Sequence, residues 1–289
     1  QQRKKKKSHD REVLTNYAGE LIQHDTSYHL WSPEAEKKWY LITSIDDYSR
    51  CILYGELWEK ESSWAHIMAA KSVFMVFGCP LSYYVDRHSI FKFVERRDTI
   101  WRQSHLNEDE GKVQWKEVLG DLNINVIYAL SPSAKGKVER PYQWLQDHLV
   151  RTCIREGIKD IDGARRVLSE ELFRYNNQRI HSTTGEIPAQ RLHGMIAEKK
   201  SLFRRFQVPI PYKTADDIFC VRWERVVNRY RRITINKLEF SVDHVPPRTK
   251  IEIRVSFDVK TKMAKLRLWL KGKFLAEHLV KADDLKAKK

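Results

Sequence analysis

Three acids in this sequence, Asp25, Asp86 and Glu139, stand where they would be held by separate structural elements. Asp25 lies in the middle of Leu21-Ile-Gln-His-Asp-Thr-Ser-Tyr-His-Leu-Trp31, a stretch otherwise fit for a core strand, where an unpaired carboxylate is costly. Asp86 ends the short apolar run 81–85, at a strand end of the kind where functional residues of open sheets gather. Glu139 opens a segment in which Val138, Tyr142, Leu145 and Leu149 recur at helical spacing, with Lys135, Lys137 and Arg140 around it. Each acid also has an ordinary reading. Asp25 reads as a paired strand acid, Asp86 as a cap or turn residue, and Glu139 as one partner in a solvated ion-pair cluster. Taken together, three acids on a chain of net charge +15 need something positive between them. Magnesium suits hard oxygen donors, keeps part of its water and binds substrate phosphates beside a few carboxylates. Two such ions about 3.5–4 Å apart would serve the attacking and leaving oxygens at phosphorus, with Mn2+ able to substitute. Lys135, Lys137 and Arg140 would then hold a phosphate backbone. Asp46 and Asp47 read instead as turn residues.

The elements that must carry these acids follow from pattern. Strands are expected over 21–31, 39–45 and 51–58, the last two joined by the polar turn Asp46-Asp-Tyr-Ser-Arg50 as an antiparallel hairpin. Ser62 and Ser63 offer an N-cap for a helix closed by Gly78 and Pro80. A fourth strand is expected at 81–85 and a fifth at 124–128, which delivers the chain to the helix of Glu139. Residues 87–121 are polar, with a helix expected near 113–119. A further helix is expected near 161–176. Three meander strands followed by helix-connected strands make an α/β arrangement, a mixed sheet covered by helices. Pro141 follows Glu139 closely, and a proline inside a helix costs about 3 kcal/mol. Either that helix starts late, near 136–139, or it kinks. Beyond Pro209 the pattern changes to short strands at 221–223, 231–235, 238–242, 251–255 and 265–270, the texture of a small β-barrel.

Composition narrows the class of function. The 289 residues are 42% hydrophobic, enough to bury a real core. An excess of 15 positive charges favours a polyanionic partner. Residues 204–277 carry about +10 of that excess, the footprint of a nucleic-acid-binding domain, with Arg231 and Arg232 as its candidate contacts. The four cysteines form no CxxC pair and read as reduced, buried thiols rather than a zinc site or a disulfide set. No Walker or Rossmann glycine loop is present, which argues against nucleotide-driven chemistry. No apolar run reaches the roughly 20 residues of a membrane span. The chain opens on Gln1 rather than Met, so it reads as a piece whose natural start lies upstream. The block Arg3-Lys-Lys-Lys-Lys7 reads as an extended arm that touches DNA or as a solvated linker.

Four motifs in order carry a resemblance. These are Gln23-His-Asp25-Thr-Ser, Ile45-Asp-Asp-Tyr-Ser-Arg50, Val85-Asp86-Arg-His-Ser and Lys135-Gly-Lys-Val-Glu139-Arg. Tyr175-Asn-Asn-Gln-Arg-Ile-His181 and Gly185-Glu-Ile-Pro-Ala-Gln-Arg-Leu192 extend it. Over residues 20 to about 192 the chain resembles the DDE transposase and retroviral integrase superfamily, in its bacterial insertion-sequence form. More weakly, the C-terminal part resembles the β-barrel of phage Mu-type transposases. The resemblance implies an RNase H-like mixed five-stranded sheet with helices on both faces, then a helical segment and a small β-barrel. The expected domains are a basic arm at 1–19, a catalytic core at 20–158 with an insertion near 87–121, a helical segment and linker at 159–211, a DNA-binding barrel at 212–281 and a basic tail at 282–289. It implies that Asp25, Asp86 and Glu139 form the metal triad and that Lys135, Lys137 and Arg140 contact DNA. The activity implied is Mg2+-dependent cleavage at transposon ends, then attack of the freed 3′ hydroxyl on target DNA, by a homo-oligomer at the nucleoid of a bacterial cytoplasm. The alternatives are a nuclease of the same fold that stops at hydrolysis and a DNA-binding protein of transposase ancestry without catalysis. Two departures stand out: the stretch between Asp86 and Glu139 is longer than in integrases, and the integrase-type HHCC zinc module is absent. Any helix-turn-helix domain that recognises element ends would lie upstream of Gln1.

Overall fold

The computed structural model describes residues 15–86, 114–129 and 136–285, without the side chains of 136–140. The β-branched and aromatic alternation of the first part folds as three antiparallel strands, β1 (Leu21–His29), β2 (Trp39–Asp46) and β3 (Ile52–Trp58). Two short strands, β4 (Ser82–Val85) and β5 (Asn125–Tyr128), add in parallel on the other side of β1. The resulting order, β3-β2-β1-β4-β5, is the mixed RNase H-like sheet expected from the sequence. The helices are α1 (Ser63–Val76), α2 (Gln114–Asp121), α3 (Gly136–Arg155), α4 (Ile161–Asn177), α5 (Pro188–Ala197) and the single turn α6 (Ala215–Ile218). Ser62 caps α1, its hydroxyl accepting from Ala65 N at 3.2 Å, and Gly78 ends the following turn at φ +104°. Any Cβ at Gly78 would meet the Arg204 carbonyl oxygen at 2.5 Å.

Described residues fall into two compact units, with the division inside α1. The first takes in 15–61, 72–86, 124–129 and 136–205; the second takes in 62–71, 114–123 and 206–285. Period-two alternation sorts the first unit's core onto two sheet faces. Leu41, Ile45, Ile52 and Leu57 pack with Tyr142, Leu145 and Leu149 of α3 and with Ala164, Val167 and Leu168 of α4. On the opposite face Phe74 meets Tyr83 edge-on, with ring centroids 6.1 Å apart.

Strand β3 is an edge, and an edge exposes unpaired backbone groups that need covering. Helix α4 covers it. Asn176 Oδ1 accepts from Ile52 N at 2.9 Å, and Asn176 Nδ2 donates to Ile52 O at 2.9 Å, as a partner strand would. Toward the other end of β3, Arg165 donates to Leu57 O through Nε at 3.1 Å and Nη2 at 2.9 Å. The eleven-residue step along the helix and the five-residue step along the strand both span about 16 Å. Between them Gly55 admits Leu172; a Cβ there would lie 2.8 Å from its Cδ1.

The second unit holds β6 (Val221–Val226), β7 (Arg232–Ile235), β8 (Leu238–Ser241), β9 (Lys250–Asp258), β10 (Met263–Leu270) and β11 (Lys273–Lys281). They pair as a four-stranded antiparallel sheet, β11-β10-β9-β6, and a separate β7-β8 hairpin. Both sheets enclose one apolar core that includes Ile233, Phe240, Ile253, Val255, Leu266 and Leu268. Among the described residues no ladder joins the two sheets, so the barrel texture of the sequence takes the form of two sheets around one core. Two buried arginines are matched by acids. Arg267 pairs with Asp217 and Glu277, and Arg254 Nε lies 2.9 Å from Glu252 with Nη1 3.3 Å from Asp121.

Candidate active site

Strand register sets the first two acids. The parallel β1–β4 ladder ends with Gln23 opposite Tyr84, two residues before Asp25 on one strand and two before Asp86 on the other. Asp86 is the residue directly after β4, and both acids are partly buried. In the antiparallel β1–β2 ladder Asp25 lies opposite Thr43. Register partners share a sheet face, so Asp25 and Thr43 face α3. There the Thr43 and Tyr142 hydroxyls are hydrogen-bonded at 2.8 Å. Burial pushes the Tyr142 phenol well above its ordinary value. The negative field of Asp25, and behind it those of Glu61 and Asp86, adds to that rise against the Thr43 hydrogen bond. Three carboxylates therefore bear on one hydroxyl of α3, and Glu139 stands three residues earlier on the same helix, about one turn away.

Helix α3 begins at Gly136, the late start considered above. Pro141 falls in its second turn and has no N–H to offer the carbonyl of Lys137. The side chains of Lys137, Glu139 and Arg140, and the whole of Lys135, lie outside the described residues. Among the described residues no group of three His, Cys, Asp or Glu side chains is close enough to hold a metal ion. Asp25, in the middle of β1, and Asp86, directly after β4, nonetheless offer hard carboxylate oxygens. That donor chemistry fits magnesium or manganese and suits a softer metal poorly.

The neighbouring motif residues form a buried polar knot. Asp46 Oδ2 accepts from Ser49 N at 2.9 Å and Ser49 Oγ at 2.6 Å, and Oδ1 accepts from Gly19 N at 2.9 Å. Burial raises the Asp46 carboxyl above its ordinary value, against these hydrogen bonds. Asp47 pairs with Arg50 at 2.9 Å and accepts from Thr15 Oγ1 at 3.1 Å and from the Gln23 amide. His24 Nδ1 lies 2.9 Å from Ser44 Oγ. Asp47 is a turn residue, as the sequence suggests, whereas Asp46 ends β2, and both fasten the start of β1 to the hairpin.

Two curated relatives match the chain by sequence. It is 32% identical over 160 residues, 55% of its length, to a Sinorhizobium fredii protein bearing the name transposase y4bF. It is 30% identical over 174 residues, 60% of its length, to the transposase for insertion sequence IS1202 of Streptococcus pneumoniae. By sequence the chain is similar to bacterial transposases. It spans about a third of the length of these relatives, 33% and 36% respectively. No protein-family model matches it. Among solved structures, the HTLV-2 integrase catalytic core in complex with magnesium superposes with a TM-score of 0.44 at 18% identity, covering 61% of this chain and 98% of that one. The simian T-cell lymphotropic virus intasome in complex with the PP2A regulatory subunit B56 gamma gives 0.47 at 14% identity, covering 94% and 78%. These superpositions are loose.

Sequence reasoning passed over Thr43 and Glu61. A hydroxyl inside the apolar run of β2 was the available signal for Thr43. Glu61, between β3 and α1, gave none. Tyr142 was legible only as an apolar-face residue. The other two candidate DNA contacts, Arg231 and Arg232, belong to the second unit and are exposed. Arg231 Nη1 donates to the Asp243 carbonyl at 2.8 Å, and Arg232 pairs with Glu239 at 2.9 Å.

Proposed function

We propose that the chain is the catalytic part of a DNA transposase that cleaves at element ends and joins the freed 3′ hydroxyl to target DNA. One observation carries this reading: Asp25 on β1 and Asp86 just after its parallel neighbour β4 both bear on Tyr142, one helical turn from Glu139. Asp25, Asp86 and Glu139 would hold two magnesium ions, with manganese as substitute. When bound, the ions supply a positive clamp for the attacking and leaving oxygens at phosphorus. Lys135, Lys137 and Arg140 grip the phosphate backbone beside the acids. The Thr43–Tyr142 hydrogen bond fixes the start of α3 against β2 and so keeps the third acid's turn in place. The names of both sequence relatives support DNA transposition as the activity. Acting on two ends at once requires a homo-oligomer, working on the nucleoid in the bacterial cytoplasm. Among the described residues no helix is long and apolar enough to cross a membrane.

The test incubates the protein with duplexes taken from the DNA flanking its coding region, a target plasmid and Mg2+. Joined products are expected from the wild type, and Asp86→Asn or Glu139→Gln should abolish joining while duplex binding persists. Cleavage without joining would make the chain a nuclease, and binding without any reaction a DNA-binding protein. Joining that survives either substitution removes the triad.

A further inference from the structure

The turn between β6 and β7 is built around Asn228. Its N–H donates to Arg232 O at 2.9 Å and its carbonyl accepts from Arg231 N at 3.0 Å. Its side-chain Oδ1 accepts from both Tyr230 N and Arg232 N at 2.9 Å. Arg231 takes the left-handed conformation at φ +57° that closes the loop. Val227, buried in the apolar core, anchors the turn from below. One residue thus satisfies most of the turn's backbone groups, and the turn is held in a single shape. What it presents outward is Arg229 and Tyr230, the tyrosine 68% exposed. The Arg229 guanidinium lies 5.0 Å from the Tyr230 ring centroid.

Two more cations border this tip. Arg248 N donates to Val227 O at 2.7 Å, and Lys250 is the ladder partner of Val226, so both sit against the base of the turn. Both side chains are exposed. Among the described residues no carboxylate pairs with Arg229, Arg248 or Lys250, whereas Arg232 is neutralised by Glu239 and Arg231 is held by a carbonyl. A flat ring fixed on a rigid turn and rimmed by unneutralised cations matches a partner that is polyanionic and has exposed flat faces.

We infer that the Arg229–Tyr230 turn is a stacking contact for an unpaired stretch of DNA, with Tyr230 on a base and Arg229, Arg248 and Lys250 on the phosphates. The inference rests on the DNA-acting reading above and states where, and in what form, the strand is held. It also places the aromatic contact at Tyr230 rather than on the neighbouring arginines. A paired base inside a duplex hides its face, so the contact discriminates for single strands, flaps and gaps.

The test is fluorescence anisotropy with the whole chain, using a labelled oligo-dT strand and a blunt duplex of equal length at several salt concentrations. Tyr230→Ala should weaken oligo-dT binding about tenfold, the worth of one stacked base, and leave duplex binding within twofold. Tyr230→Phe should restore oligo-dT affinity. Arg229→Ala should lower the slope of log affinity against log salt by about 0.7, one single-strand phosphate contact. Equal losses on duplex and single strand, or no loss from Tyr230→Ala, would overturn the inference. So would polyglutamate binding with the same tyrosine dependence, which would mean an acidic protein surface as partner. Asp86→Asn tests the catalytic reading through loss of joining, whereas Tyr230→Ala tests this one through the difference between oligo-dT and duplex affinity, so the two ideas fail separately.

Discussion

Replacing Asp86 with asparagine should stabilise the protein without metal and remove its response to magnesium. Asp25 lies on β1 and Asp86 directly follows β4, its parallel neighbour, and carboxylates one strand spacing apart would be roughly 5 Å from each other. Two like charges at that distance repel by about 3 kcal/mol at an effective dielectric near 20 and by about 1 kcal/mol in water. Both side chains are partly buried, so the repulsion falls between these limits, near 2 kcal/mol. The amide of Asp86→Asn would keep the shape and drop the charge. Magnesium at ten times its dissociation constant stabilises a binding-competent fold by about 1.4 kcal/mol. Urea unfolding in EDTA and in Mg2+, followed by tryptophan fluorescence, gives both quantities. The wild type should be the less stable protein in EDTA and should gain on adding Mg2+; Asp86→Asn should start higher and gain nothing. If the substitution destabilises the metal-free protein and both proteins respond equally to Mg2+, the paired-acid reasoning is wrong.

A double-mutant cycle on Thr43→Val and Tyr142→Phe should return a coupling of about 1 kcal/mol in the same unfolding assay, the net worth of a buried hydroxyl pair. Zero coupling would mean that the two hydroxyls do not hold α3 to β2. Asn176→Ala should cost about 2 kcal/mol through its two bonds to Ile52, and Asn176→Asp, which loses the donor, should recover only part. In the second unit burial raises the Asp217 carboxyl, but Arg267 and the backbone N–H groups of Lys213 and Thr214 outweigh it, leaving the group below its ordinary 3.8. A lowered folded value means stabilisation that is complete above 3.8 and lost as pH falls through the folded value. Acid titration of unfolding should therefore show a steep loss beginning below about pH 4, shallower in Asp217→Asn.

The sheet was legible because its strands are dense in β-branched and aromatic residues and punctuated by turns. β2, β4 and β5 were each expected to within a residue or two of their observed ends. β11 was missed because its polar and charged residues lie on the exposed side of an edge strand, which blurs the apolar alternation. α5 was seen only as a motif, since Pro188 marks its first turn rather than a break. Asp25 and Asp86 stood out as candidates because a carboxylate in an apolar strand or at its end is conspicuous. Only their combination with Glu139 and the family resemblance set them above a paired strand acid and a cap residue. Thr43, Glu61 and Asn176 did not stand out. Their roles come from partners 99 to 124 residues away or from convergence in space, and no local pattern encodes such pairings.

The Asn176–Ile52 pairing also orders events in the making of this protein. Its partners are 124 residues apart. During synthesis β1, β2 and β3 can pair as a meander as soon as they emerge, but the outer strand then waits, unpartnered, until the end of α4 has been made. At a translation rate of about 5–20 residues per second the wait lasts on the order of ten seconds. For that interval a nascent chain offers an open strand to any other nascent chain beside it on the same message. The asparagine that completes the sheet is therefore also the residue that ends its vulnerability to pairing with the wrong copy.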